Sequence, residues 1–211
     1  MATHRERALA LQSSLLNATL TTDSRFVVLG LVSIALPGPW WWHTADLNDA
    51  GAVGAIFRCY EKNNDKELAY LLVADVSGDP QEPDINAFAE KDIGKLDRFL
   101  EREIQALMAR DGRQMVRWMS SHLNERLSGK CLVTAYTAND QGKERQYIDV
   151  RTRVGQRNVV IAGCFDVSRA DELAKPIFFA LNDARPLPDN SDEMESSGRD
   201  LTARSPESST C

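Results

Sequence analysis

The chain has 211 residues, 43% of them hydrophobic and 27% charged, with a formal net charge of -6. That length allows one domain with tails and a core that needs no staple, and the acidic balance disfavours nonspecific binding to nucleic acid or anionic membrane while suiting a basic protein partner. Cys59, Cys131, Cys164 and Cys211 are widely spaced with no C-x-x-C pair, so they read as reduced thiols of a cytoplasmic protein, three of them packed as small hydrophobes.

In chain order, residues 1–24 read as an N-terminal extension, in which Ala8, Leu11, Leu15 and Ala18 recur at the spacing of a short amphipathic helix. The run Phe26 to Leu36 is too short for a bilayer, which takes about twenty apolar residues. An export signal remains open, although the charged region before it would hold Glu6 and Asp23. Its alternation fits strands instead, with a break near Gly30 and a stop at Pro37 and Pro39, neither of which can donate to a ladder.

Gly51 to Lys62 and Glu67 to Gly78 read as a hairpin around the polar turn Asn63 to Lys66. Asp84 is placed to cap a long helix carrying Ile85, Phe88, Ile93, Leu96, Leu100, Ile104, Leu107 and Met108 on one face, with an end near Asp111 and Gly112. Met115 to Leu123 fits either period and is read as a strand, and Gly129 leads into the strand KCLVTAYT.

Gln146, Ile148, Val150, Thr152 and Val154 alternate with Arg145, Tyr147, Asp149, Arg151 and Arg153, the mark of a strand with one apolar and one polar face. VVIAGCF, Val159 to Phe165, has the composition of a buried central strand. Ser168 is placed to cap a closing helix with Leu173, Ile177, Phe178 and Leu181 on its stripe, and Pro176 either kinks that helix or marks its first turn. Residues 186–211 are acidic and poor in large apolar side chains, the pattern of a disordered tail. The body, 25–185, is therefore a single α+β domain: an antiparallel sheet flanked by a long helix and a C-terminal helix.

Enzymatic signatures are missing. His4, His43 and His122 have no metal-ligand spacing, Ser128-Gly129-Lys130 lacks the rest of a phosphate loop, and no G-x-S-x-G or G-x-G-x-x-G occurs. No metal or cofactor is therefore expected. One catalytic alternative stays open, a Cys/His pair assembled from Cys59 or Cys164 with His43 or His122, which would make a small hydrolase.

Two groups stand out as partner-binding candidates. Trp40, Trp41 and Trp42 alternate in direction on an extended segment, so at least one ring beside His43 should reach solvent, where Trp anchors interfaces. Alternatively Trp40 closes the core and the others lie beneath the N-terminal segment. The second group is Arg145, Tyr147, Arg151 and Arg153, able to grip carboxylates from an outward sheet face or simply to pair with acids across a solvated sheet.

The opening VSIALPGPW and the stretch from Lys130 to Arg185 resemble bacterial DcrB-like proteins with the PsbP/Mog-type fold. The resemblance implies an α/β sandwich and a noncatalytic binding role, some members being chaperones or neighbours of toxins secreted by the type VI system. The N-terminal extension, the tryptophan triplet and the acidic tail depart from it. The function expected is an immunity protein that binds and neutralises a cognate effector toxin in the cytoplasm; the alternative is an effector chaperone or adaptor.

Overall fold

A computed structural model describes residues 17–38, 41–49, 51–61, 66–79, 85, 89–126 and 129–187, with only the backbone of Trp41, Asp49, Glu90, Asn124, Glu125 and Arg126. The α+β expectation holds: two antiparallel sheets and two helices form the body. A four-stranded sheet joins β1 (Ala18–Leu20), β2 (Arg25–Val28), β3 (Val32–Ala35) and β11 (Arg185–Pro186), in that order. A seven-stranded sheet holds β4 (Trp41–Asp49), β5 (Ala52–Tyr60), β6 (Glu67–Asp75), β7 (Gln114–Arg126), β8 (Gly129–Asp140), β9 (Lys143–Val154) and β10 (Arg157–Asp166), in the order β4-β5-β6-β10-β9-β8-β7. The apolar VVIAGCF run sits on β10, the middle strand, as its composition predicted.

Helix α1 (Ile93–Arg110) lies on one face of this sheet and α2 (Ala170–Asp183) on the other. From α1, Leu96, Leu100, Ile104 and Met108 pack against Leu132, Tyr136 and Ala138 of β8. The opposite face carries the main core, where the four-stranded sheet and α2 cover Phe57, Leu71, Val73 and Ile161. Gly163 lets α2 approach β10 closely, since a Cβ there would lie 2.7 Å from Ile177 Cγ2. Buried Arg25 ties the small sheet to the end of α2 through Ser33 and the Asp183 carboxylate, donating also to the Asp183 carbonyl at 2.7 Å.

Several boundaries differ from the sequence reading. Ala18 to Leu20 form a strand paired with β2 rather than the end of a helix, and Ala8, Leu11 and Leu15 lie outside the described residues. The long helix starts at Ile93, not after Asp84, which is outside the described residues; Ile85 is buried without belonging to the helix. Its apolar spacing recorded burial over a longer stretch than the helix occupies. The predicted stop is correct: Gly112 has φ +71° and Arg113 N donates to Met108 O, closing the helix with a left-handed glycine.

Asp166 rather than Ser168 caps the turn before α2, its carboxylate accepting from Ser168 N at 2.9 Å. Pro176 lies inside α2, and Phe178 points outward, 43% exposed, instead of joining the buried stripe of Leu173, Ile177, Ala180 and Leu181. β11 ends at Pro186, and residues 188–211, where the disordered tail is expected, lie outside the described residues. β4 is a strand the sequence reading missed, because Asp46, Asn48 and Asp49 give it the look of a loop.

Candidate functional site

The two predicted groups lie apart. Trp42 is on β4 and the arginines are on β9, with β5, β6 and β10 between them. Trp42 faces the main core at 1% exposure and donates its indole N–H to Pro37 O at 2.9 Å, so it is a core residue and no anchor. Trp40 is outside the described residues, as is the Trp41 side chain. His43 is exposed, with its ring edge-on to Tyr60 at 5.0 Å.

The alternation of β9 is as read, but its polar face is not the solvated surface expected. Arg145 is 7% exposed and Tyr147 3% exposed, Arg151 is half-buried beside Asp149, and only Arg153 is exposed. Arg145 donates to Glu67 Oε1 at 2.9 Å and to Glu67 O at 3.3 Å, and its Nη1 lies 3.9 Å from Cys164 Sγ. Periodicity identified a shared face and could not report that α1 roofs part of it.

Beneath that roof a row of side chains crosses the sheet in register: Tyr70 opposes Cys164, Cys164 opposes Tyr147, Tyr147 opposes Tyr136, and Tyr136 opposes Trp118. The Tyr136 and Tyr147 rings stack 5.0 Å apart, and Trp118 stacks on Tyr136 at 6.1 Å. Asp97 of α1 locks the end of the row, its Oδ1 accepting from Trp118 Nε1 at 2.9 Å and from Ser121 N at 2.7 Å. Cross-strand aromatic pairs and charge-assisted hydrogen bonds make this a rigid seam.

The seam is poorly suited to nucleophilic chemistry. Burial raises the Cys164 thiol to about 12 despite Arg145 beside it, and burial likewise raises Cys59 to about 12. Tyr147 is raised to about 12, again mainly by burial, and burial pushes Tyr70 and Tyr136 upward too. Burial that holds both thiols protonated weakens them as nucleophiles. Among the described residues, no group of three or more His, Cys, Asp or Glu side chains is arranged to hold a metal ion.

Among the described residues, α1 covers only one half of this sheet face, and the half it leaves is the surface best placed to receive a partner. α1 packs over β7 and β8, whereas on β4, β5 and β6 Ala45 is exposed and Leu47, Ile56 and Leu72 are half-buried. The registers join them side by side: Ala45 opposes Ile56, and Ile56 opposes Leu72. Arg58, paired with Glu67 at 2.7 Å, and exposed His43 border this apolar strip. Its only sequence signal was the Ala45–Leu47 alternation, masked by the acids between and after them.

The fold and this site define a class, an α+β protein whose antiparallel sheet keeps an apolar strip on a half-covered face. No family model and no curated protein matches the chain. Among solved structures, a Pseudomonas aeruginosa protein of unknown function is similar at 8% identity with a TM-score of 0.31, covering 90% of this chain and 99% of its own. No helix among the described residues is long and apolar enough to cross a membrane.

Proposed function

We propose that this protein is a noncatalytic binding protein of a bacterial secreted-toxin system, acting in the cytoplasm as a chaperone that shelters an apolar segment of its cognate effector before type VI secretion. The observation that supports this reading is the strip of Ala45, Leu47, Ile56 and Leu72, whose apolar surface would gain from burial by a partner at about 25 cal/mol per Å². The resemblance of VSIALPGPW and the C-terminal strands to DcrB-like proteins points the same way. A second reading, an immunity protein that neutralises the effector, is favoured by the net charge of -6, which would draw in a basic toxin.

Coexpression with the cognate effector separates the two. A chaperone raises the amount of intact effector, and Leu72→Arg, which places a charge on the strip, abolishes that rise while the circular dichroism spectrum stays unchanged. An immunity protein rescues growth against the isolated toxic domain, with Leu72→Arg as effective as the parent. Effector abundance that ignores both the protein and the variant overturns the chaperone reading.

A further inference from the structure

The seven-stranded sheet has two edge strands, β4 and β7, and they are built differently. β7 breaks register with β8 twice, between Met115 and Arg117 and between Trp118 and Ser120, and it carries Arg117. Bulges and cations are common means of stopping an edge from pairing with another chain. β4 has neither: all nine residues, Trp41 to Asp49, pair with β5 without a register shift, and the strand contains no Lys, Arg or Pro. Among the described residues, nothing pairs with its outer edge.

From this contrast we propose that β4 is a homodimerisation edge, pairing antiparallel with β4 of a second copy of this chain about a two-fold axis through Ala45. In that register Thr44 stands opposite Asp46, His43 opposite Leu47, Trp42 opposite Asn48 and Trp41 opposite Asp49. Each acid thus meets an uncharged position, so identical strands pair without the like-charge opposition that destabilises a sheet. Asp46 is already engaged on its own chain, accepting from Asn17 N at 3.0 Å. At the axis stands Ala45, exposed and small, which lets the two backbones approach. The symmetry is self-complementary and closes at two copies.

Pairing would also join the two apolar strips, because Ala45 and Leu47 lie on the same sheet face as Ile56 and Leu72. A continuous sheet through two protomers would thereby double the strip. The dimer does not depend on the chaperone reading, and it is tested without any effector.

Sedimentation velocity of the full chain from about 1 to about 100 µM should show a reversible monomer–dimer equilibrium. Ala45→Lys brings two ammonium groups together at the axis and should weaken the dimer by at least about tenfold while leaving the circular dichroism of the monomer unchanged. Directly opposed antiparallel residues have Cα atoms about 4.5–5.5 Å apart, within disulfide range. Ala45→Cys in a Cys211→Ser background should therefore give a disulfide-linked dimer on mild oxidation, and Phe179→Cys in the same background should not. A wild-type chain that stays monomeric throughout overturns the proposal. So does a dimer that a folded Ala45→Lys leaves intact, or one in which Ala45→Cys fails to cross-link.

Discussion

The two halves of the seven-stranded sheet differ in which layer covers which face. On the β7–β8 side the face toward α1 is sealed: Leu132 is fully buried, Tyr136 and Ala138 pack on the helix, and Asp97 clamps Trp118. On the β4–β6 side that same face leaves Ile56 and Leu72 half-buried, while the reverse face is filled by the small sheet and α2. β10 lies at the centre and is buried on both faces from Val159 to Asp166, while β9 beside it is buried at Arg145 and Tyr147 and opens toward Arg151 and Arg153. One continuous ladder therefore presents a sealed seam and an apolar strip side by side, and only the placement of α1 separates a structural surface from an available one.

Substitutions of equal chemistry on the two halves should show that difference. Leu132→Ala removes a fully buried side chain beneath α1 and should cost about 3 kcal/mol, whereas Leu72→Ala on the open half should cost about 1 kcal/mol, both read from urea denaturation. Equal costs would mean that the open half is covered as tightly as the sealed one.

A smaller effect separates two arginines of the same strand face. Arg145→Met breaks the buried arginine's ion pair with Glu67 and should lose about 2 kcal/mol, while exposed Arg153→Met should stay within about 0.5 kcal/mol. Glu67 keeps its bond to Arg58, which limits the first loss.

The smallest effect concerns two carboxylates with opposite shifts. Burial raises Asp149, with Arg151 only partly opposing it, so at neutral pH its charge costs stability. Asp149→Asn should therefore raise the melting temperature at pH 7, and the gain should shrink as the pH falls through the raised value toward the unfolded one, about 4. The Arg25 hydrogen bond lowers Asp183, which contributes stability above the unfolded value and loses it as the pH drops through its lowered one. Asp183→Asn should accordingly lower the melting temperature at pH 7, and its deficit should close in acid. A melting curve of Asp149→Asn that tracks Asp183→Asn would contradict this assignment.

Much of the fold was legible because its strands alternate strongly. The hairpin of β5 and β6, the strands β8 to β10 and the central place of VVIAGCF all follow from period and composition, whereas the residues of β7 fit either period. β4 was not legible, since a polar edge strand gains its conformation from the ladder to β5 rather than from its own residues. The candidate site was less legible still. Trp42 and Tyr147, candidates for a partner surface, are buried, and the half-covered strip is made of four ordinary aliphatic residues from three strands.

By itself, the sequence determined the class, the strand periods, the end of α1 at Gly112 and the split of β9 into an aliphatic and a polar face, because backbone preference and side-chain alternation are local properties. Only the tertiary structure decided that the polar face of Arg145 and Tyr147 lies inside the protein and that Ile56 and Leu72 do not complete a core. Exposure belongs to the layer placed above a strand, and α1, a helix of 18 residues, reaches across only part of the seven-stranded sheet.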